Sequence, residues 1–337
     1  MKRVLVSRLD NAGDVVLAGA AIRAVAAEAV VTLLCSAVGR PAGELLPGVS
    51  EILVYDPPWS GHAPPPVDAG TVTRLVDSIA DRGFASAAIL TSFHQSPLPL
   101  ALLLRIAGVP EVAAVSVDYP GSLLDHRLPY RAELHEVQRS LEVVASLGFS
   151  PPDDDRLALI RTEPPVELPP EGRYVVVHPG ASVPARRLPD GLVGELLDQL
   201  AGLGVVTVVT GSGEERNGLT IPGGVLDLRG RTSFAALVET VRGAGAVVSG
   251  NTGTAHIAAA TGTPMVGVFA PVVSAANWRP WKVPTILLGD QNVPCAGCRA
   301  RACPLETQVC VSSIRARDVV GALDRLGSLR QMARPSA

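Results

Sequence analysis

Residues 246–264, AVVSGNTGTAHIAAATGTP, place small hydrogen-bonding residues between two apolar runs. The run AVVS predicts a short buried strand, and the apolar residues after His256 predict the first turns of a helix. Asn251, Thr252 and Gly253 then lie on the loop between them. Such a unit directs hydroxyls, backbone N–H groups and the positive end of a helix dipole at one point, which suits a phosphate. The spacing differs from the P-loop and dinucleotide fingerprints, so a plain structural turn is the alternative.

Two aspartates follow the first predicted strand, in the segment SRLDNAGDVV, residues 7–16. Asp14 stands directly before an apolar helix pattern, where a carboxylate commonly caps the helix that follows it. Asp10 lies four residues earlier in the same segment.

Four of the five cysteines lie near the C-terminus with the spacing C-x2-C-x4-C-x6-C, and Cys35 lies apart in a predicted strand. The four are Cys295, Cys298, Cys303 and Cys310. This spacing fits a small structural zinc site. Reduced thiols and disulfides are the alternatives, although stable disulfides are unusual in the cytosol.

The elements that must position these residues alternate between strand and helix patterns. Strands are predicted at 3–7, 30–36, 51–56, 86–92, 174–180, 205–213, 225–230 and 246–249. Helices are predicted at 15–28, 71–83, 99–108, 135–148, 191–204, 233–245 and 312–331, with a further one after His256. This alternation predicts parallel sheets that are covered on both faces.

A Pro-rich polar segment, residues 161–172, interrupts the alternation and predicts a linker. We therefore expect one Rossmann-like domain over residues 1–160 and a second over residues 173–337. Ligands of such sheets bind beyond the carboxyl ends of the strands, and a cleft between two such domains is the default site.

The composition restricts the partners. The 337 residues carry a net charge of −3 and only 4% aromatic residues, so neither a basic surface nor stacking platforms predict nucleic-acid binding. No apolar run reaches the roughly 20 residues of a membrane helix, and charged residues interrupt the N-terminal apolar run too early for a signal peptide. We expect a cytoplasmic protein with at most peripheral membrane contact, at the inner face of the membrane.

Four segments in order, residues 7–25, 175–189, 208–216 and 230–271, closely resemble glycosyltransferase family 9, the ADP-heptose:lipopolysaccharide heptosyltransferases. The resemblance extends over most of the chain. It implies the α/β fold called GT-B, in which two Rossmann-like domains face each other across a central cleft. The N-terminal domain then binds the acceptor, and the C-terminal domain binds the nucleotide sugar.

The resemblance also implies roles for three residues of the reaction. Asp14 matches the family's general base, which deprotonates the acceptor hydroxyl, and Asp10 is the competing candidate for this role. Ser182 in HPGAS matches a hydroxyl that binds phosphate. Arg186 stands where the family usually has a lysine that stabilises the departing diphosphate, so the charge is kept with a different geometry. An exposed pair, Arg186 and Arg187, is the structural alternative.

The remaining donor-site residues come from the C-terminal half. The family segment that matches Asn251, Thr252, Gly253 and His256 contacts the diphosphate and the sugar, although Asn251 replaces the usual aspartate and lacks its charge. A packed histidine is the alternative for His256.

Two further donor-site residues are implied for the nucleoside. Glu214 matches a partner of the ribose, with Glu215 as the alternative because the loop alignment is uncertain by one residue. Thr232 is expected to lie near the base through its backbone.

The implied activity is inverting transfer of a heptose from ADP-heptose to an acceptor hydroxyl in a single displacement. The acceptor is a surface glycan, a lipopolysaccharide core or a secondary metabolite. No divalent metal or other cofactor is required in this scheme, since protein cations and a helix terminus neutralise the diphosphate. An epimerase or hydrolase of the same fold, and a non-catalytic nucleotide-sugar-binding protein, are the alternatives.

Overall fold

The computed structural model describes residues 1–61, 64–92, 95–165, 168–214 and 219–329. The chain divides into two compact units, Met1–Ile160 and Arg161–Ala337. Each unit contains a six-stranded sheet in which neighbouring strands run parallel. Within the described ranges, no helix is both long and apolar enough to cross a membrane.

The sheet of the N-terminal unit is doubly wound. Its strands are β1 Arg3–Arg8, β2 Val30–Cys35, β3 Val49–Val54, β4 Ser86–Ile89, β5 Val112–Val115 and β6 His126–Leu128. Their order is β3-β2-β1-β4-β5-β6, so the winding reverses between β1 and β4. Ligands of open parallel sheets bind at the carboxyl ends of the strands beside such a reversal.

The described residues of this unit form six helices. They are α1 Ala12–Leu17, α2 Gly19–Ala26, α3 Arg40–Gly43, α4 Ala69–Ala80, α5 Leu98–Ile106 and α6 Glu136–Ser146. The apolar residues Val4, Leu5 and Val6 of β1 are fully buried, as expected for a central parallel strand with both faces covered.

The sheet of the C-terminal unit repeats the same winding. Its strands are β7 Tyr174–His178, β8 Val206–Val209, β9 Leu226–Asp227, β10 Ala246–Ser249, β11 Met265–Val268 and β12 Thr285–Leu288. Their order is β12-β11-β10-β7-β8-β9, so the reversal lies between β7 and β10. The helices of this unit are α7 Asp190–Gly202, α8 Phe234–Arg242, α9 Gly253–Thr261, α10 Ala275–Trp278 and α11 Ala316–Arg325.

The largest helix of this unit shows why the pattern folds this way. On α7, Val193, Leu196, Leu197 and Leu200 recur at helical spacing and are all fully buried in one hydrophobic cluster. Burying each such side chain contributes about 1.5–3 kcal/mol relative to leaving it exposed. The stripe therefore fixes α7 against the sheet.

Four short strands are absent from the sequence prediction, which has only eight. They are β5, β6, β11 and β12, each three or four residues long. Runs of this length lack a decisive period, and their pairing with distant strands decides their conformation. The helix predicted at 15–28 is also different, because it begins at Ala12 and divides into α1 and α2 at Ala18.

Candidate active site

Arg8, the last residue of β1, is the centre of a buried polar cluster at the carboxyl edge of the N-terminal sheet. Its Nε lies 2.7 Å from Asp10 Oδ2, its Nη1 3.2 Å from Glu136 Oε2, and its Nη2 3.4 Å from Asp14 Oδ1. Nη2 also donates to Ser92 Oγ at 2.9 Å. Burial opposes the charged form, but the three carboxylates outweigh it and raise the pKa of Arg8 above its ordinary value. Arg8 therefore keeps its charge.

The two candidate bases differ in their surroundings. Asp10 Oδ1 accepts a hydrogen bond from Gln95 Nε2, and the Asp10 side chain is 6% exposed. Asp14 is 17% exposed and lies farther from Arg8. Asp14 sits within the first turn of α1, whose N-cap is Asn11, so the alternative of Asp14 as the helix cap is wrong.

Glu136, the first residue of α6, anchors the cluster from another element. Its Oε1 accepts from Arg139 Nη2, one turn along the same helix. Arg139 Nη1 in turn donates to the carbonyl oxygens of Arg131 and Leu134. His135 is the N-cap of α6, because its Nδ1 accepts from a backbone N–H of the first turn. The position of Glu136 is thus set by a well-capped helix.

The predicted donor-site residues all lie in the loops, or on the helical turns, that directly follow strands of the C-terminal sheet. Ser182 and Arg186 follow β7, Glu214 follows β8, Thr232 follows β9, and Asn251, Thr252, Gly253 and His256 follow β10. Because neighbouring parallel strands present their carboxyl ends at one edge, the fold brings these loops to the same edge of this sheet.

The loop after β10 packs on the backbone of Arg186. Arg186 ends a short 3-10 helix, Pro184–Arg186, and a Cβ added at Gly250 would collide with its carbonyl oxygen. Glycine is therefore required at position 250 for this approach. The Arg186 side chain is half-buried rather than fully exposed.

Two polar atoms of this loop are buried without a hydrogen-bond partner in the described part of the chain. They are Asn251 Nδ2 and Thr252 Oγ1, and Asn251 is only 2% exposed. Thr252 is the N-cap of α9, yet its hydroxyl does not cap the helix. Buried donors are normally satisfied, so these atoms indicate a ligand with hydrogen-bond acceptors at the N-terminus of α9.

One histidine lies on the helix that follows this loop, and another ends the strand β7, which pairs with β10. His256 is buried on the first turn of α9, and its ring centroid is 6.4 Å from that of Trp278. His178, the last residue of β7, places its Nδ1 3.0 Å from Thr210 Oγ1. Burial lowers the pKa of His178 to about 4, so this imidazole is neutral at neutral pH.

The remaining predicted residues are more open. Ser182 and Glu214 are exposed and Thr232 is half-buried. Glu214 and Thr232 lie on loops that touch, because a Cβ at Gly230 would collide with Gly213. Glu215, the alternative to Glu214, lies outside the described residues.

The four C-terminal cysteines line one cavity of about 110 Å³ with apolar neighbours. They are Cys295, Cys298, Cys303 and Cys310, and all of them are free thiols. In the parts of the chain that the structure describes, no three His, Cys, Asp or Glu side chains are arranged to hold a metal ion. The structure therefore does not supply the geometry of the zinc site that the spacing suggests.

Sequence reasoning missed most of the Arg8 cluster. The predicted site residues did not include Ser92, Gln95 or Glu136. Along the chain, Ser92 lies 84 positions and Glu136 128 positions from Arg8, and Gln95 lies 85 positions from Asp10. The one available signal was a charged residue at the end of the apolar run RVLVSR, since an arginine is seldom buried unless it is paired.

Comparisons with known proteins agree with this geometry. The model of the family described as glycosyltransferase family 9 (heptosyltransferase) matches residues 97–308, which is more than half of the chain. No curated protein matches the sequence at a significant level.

Three solved structures share the fold. E. coli ADP-heptose lps heptosyltransferase II is 19% identical with a TM-score of 0.74, and the match covers 98% of this chain and 99% of that one. A glycosyl transferase family 9 protein from Veillonella parvula is 16% identical with a TM-score of 0.75, covering 96% and 97%. E. coli heptosyltransferase WaaC with ADP is 15% identical with a TM-score of 0.70, covering 96% and 99%. These likenesses confirm the predicted α/β fold of the GT-B class.

Proposed function

The chain belongs to glycosyltransferase family 9, and from this premise we propose that it transfers a heptose from ADP-heptose to an acceptor hydroxyl with inversion. Two solved relatives support the choice of donor, since one is described as an ADP-heptose heptosyltransferase and another was solved with ADP-2-deoxy-2-fluoro heptose. The acceptor is a surface glycan, a lipopolysaccharide core or a secondary metabolite. We expect the enzyme to meet it at the inner face of the membrane through peripheral contact.

The observation that carries this proposal is the pair of unsatisfied donors at the start of α9. Asn251 Nδ2 and Thr252 Oγ1 are buried and lack partners in the described chain, while the oxygens of a diphosphate are strong acceptors. The loop that holds them packs on the backbone of Arg186. This edge of the sheet therefore offers a diphosphate a guanidinium, two hydrogen-bond donors and a helix N-terminus.

In the proposed reaction these groups stabilise the leaving group. As the bond between the anomeric carbon and the diphosphate oxygen breaks, negative charge grows on ADP, and Arg186 with the N-terminus of α9 stabilises it. Positive charge from the protein takes the place of a divalent cation, so no metal takes part. Ser182 adds a hydroxyl for the phosphates, Glu214 binds the ribose, and Thr232 lies beside the base.

Asp14 activates the acceptor. The acceptor oxygen attacks the anomeric carbon while its proton passes to the Asp14 carboxylate, so the C–O bond to the acceptor forms as the bond to ADP breaks. Asp14 suits this role better than Asp10 because it is nearly three times as exposed and lies farther from Arg8.

The test is to incubate the purified protein with ADP-heptose, with and without candidate acceptors, and to follow ADP release and acceptor mass. Transfer is supported if ADP appears only with an acceptor that gains one heptose. ADP release without acceptor indicates a hydrolase, an isomerised donor indicates an epimerase, and binding without conversion indicates a binding protein. Each of these three results would overturn the proposal.

The donor site is tested separately with Asn251→Ala. Loss of one hydrogen bond to a charged acceptor is expected to weaken ADP binding about tenfold, which corresponds to about 1.4 kcal/mol. Asn292→Ala, which removes an exposed amide, is the matched control and should bind ADP normally. Equal ADP affinity in both variants, measured by calorimetry, would count against the assigned site.

A further inference from the structure

We propose that Arg8 is a positioning residue that divides the two neighbouring aspartates into different roles, with Asp10 as its fixed partner and Asp14 as the carboxylate that exchanges protons. This inference rests on the proposed role of Asp14 in glycosyl transfer. It goes beyond that role because it assigns the choice between the two carboxylates to a residue that touches no substrate.

The geometry around Arg8 supports this division. The guanidinium is 1% exposed and meets each carboxylate with a different nitrogen, Nε for Asp10, Nη1 for Glu136 and Nη2 for Asp14. The separation is 2.7 Å for Asp10 and 3.4 Å for Asp14. Coulomb attraction falls with distance and with exposure to water, so Arg8 holds the Asp10 carboxylate more strongly than the Asp14 carboxylate.

Asp10 is held by uncharged neighbours as well. Gln95 Nε2 donates to Asp10 Oδ1, and the same nitrogen donates to Ser60 Oγ at 2.9 Å. Ser36 Oγ donates to the Asp10 backbone carbonyl at 2.6 Å. Asp10 is thus fixed through both its side chain and its backbone, whereas Asp14 stands on the first turn of α1 with 17% of its side chain exposed.

The charged groups facing Arg8 come from each element packed around it in the described chain. The loop after β1 contributes Asp10, α1 contributes Asp14, and α6 contributes Glu136 with Arg139 behind it. His135, the buried N-cap of α6, is the titratable neighbour of Glu136. From the loop after β4, the uncharged Ser92 and Gln95 complete the cluster.

The planar fork of an arginine is needed for this arrangement. Three carboxylates and a hydroxyl lie around one guanidinium, and a lysine has only one nitrogen with which to reach them. Arg8→Lys keeps the charge and cannot hold all four groups. We expect kcat to fall at least about tenfold while the KM for ADP-heptose stays within about twofold, since the donor residues lie in the other unit.

Glu136→Gln is the decisive variant. It is nearly isosteric and removes one negative charge beside Arg8, so more of the positive potential of Arg8 acts on Asp14. The acidic limb of the kcat–pH profile is expected to move to lower pH by about half a unit or more. A residue with only a structural role would change the thermal unfolding temperature without moving this limb.

Arg3→Lys is the matched control. Arg3 lies on the same strand, pairs with Glu51 at 2.8 Å, and belongs to the opposite end of β1. Its kcat, KM and pH profile should equal those of the wild type. If Arg3→Lys lowers kcat as much as Arg8→Lys, the positioning role is wrong.

A second readout separates this inference from the proposed function. Carbon-13 NMR of labelled aspartate follows the titration of the Asp14 carboxyl without any turnover. If the wild type transfers no sugar but Glu136→Gln still shifts this titration to lower pH, the proposed function fails and the role of Arg8 stands. An unchanged titration in folded Glu136→Gln overturns the role of Arg8 whatever the activity. If Glu136→Gln does not fold, Ser92→Ala replaces it, because it removes a hydrogen-bond partner of Arg8 Nη2, the same atom that faces Asp14. An unchanged Asp14 titration in that variant likewise overturns the role of Arg8.

Discussion

Asp10 and Asp14 are identical in type and four positions apart, yet their surroundings give them different chemistry. Asp10 is 6% exposed and lies against the guanidinium of Arg8, while Asp14 is 17% exposed on the first turn of α1. Neither residue type nor local spacing distinguishes them. The distinction comes from Arg8, Gln95 and Ser92, which tertiary structure brings to Asp10.

Replacement by asparagine should therefore lower activity at position 14 and stability at position 10. Asp14→Asn removes the proposed proton acceptor, and we expect kcat to fall about 10²–10⁴-fold with little change in stability. Asp10→Asn breaks the shortest ion pair of a buried arginine and should cost about 3–5 kcal/mol of unfolding free energy. Steady-state kinetics and denaturant unfolding measure the two effects. Asp14→Asn with more than about a tenth of wild-type kcat would contradict the assignment.

At the scale of elements, the donor site depends on how closely two loops approach. The loop after β10 lies on the 3-10 helix after β7, and only the missing side chain of Gly250 permits the contact with Arg186. The same edge of the sheet carries the N-terminus of α9. The approach of these loops fixes the backbone of Arg186 against the loop that carries the buried donors.

Gly250→Ala should disturb this approach. The added methyl group collides with a backbone oxygen that cannot rotate away, so Arg186 or Asn251 must move. We expect a loss of about 1–3 kcal/mol of stability and a KM for ADP-heptose raised about tenfold or more. Gly194→Ala on α7 is the control, because nothing lies within 4 Å of its added Cβ, and it should be neutral or slightly stabilising. Similar behaviour of both variants would show that the loop contact is unimportant.

The carboxyl ends of β7 and β8 also carry an acid-sensitive contact. The pKa of His178 is lowered by burial to about 4, against about 6.5 in an unfolded chain. Between these values the unfolded chain binds a proton that the folded one does not, so stability falls as pH decreases from 6.5 to 4. The loss is at most about 3 kcal/mol, because one pKa unit corresponds to about 1.4 kcal/mol and the residue is only half-buried.

Urea unfolding at pH 7 and pH 4.5 measures this loss. His178→Asn keeps a polar group beside Thr210 without a titrating ring, and its stability should fall less between the two pH values. An equal fall in wild type and variant would assign the acid sensitivity to other groups.

At the scale of the whole molecule, each unit is a complete doubly wound sheet with its polar cluster at the carboxyl edge. The N-terminal unit carries the buried Arg8 and its carboxylates, and the C-terminal unit carries Arg186 and the unsatisfied donors of the α9 loop. The proposed proton acceptor, Asp14, therefore lies in one unit, and the proposed diphosphate-binding groups lie in the other.

In the proposed reaction protein groups supply the positive charge, so we expect transfer to be independent of divalent cations. Excess EDTA should leave the initial rate within about twofold of the untreated enzyme, since the proposal assigns stabilisation of the departing diphosphate to Arg186 and the α9 N-terminus. The measurement is ADP release with and without chelator, followed by addition of magnesium. A lost rate that magnesium restores would show that a cation shares this role.

The α/β class, eight of the strands, and the loop of small polar residues before α9 were predictable from the sequence, because they are local patterns of apolar spacing and small polar residues. Four strands of three or four residues escaped it, since their pairing rather than their composition makes them strands.

The contacts of single residues depend on tertiary packing. This packing joined Arg8 to Glu136 across 128 positions and placed Gly250 on the backbone of Arg186. It also separated Asp10 from Asp14 by burial. Contacts between residues so far apart in the chain leave no period or spacing in the sequence, because they arise only when strands and helices pack.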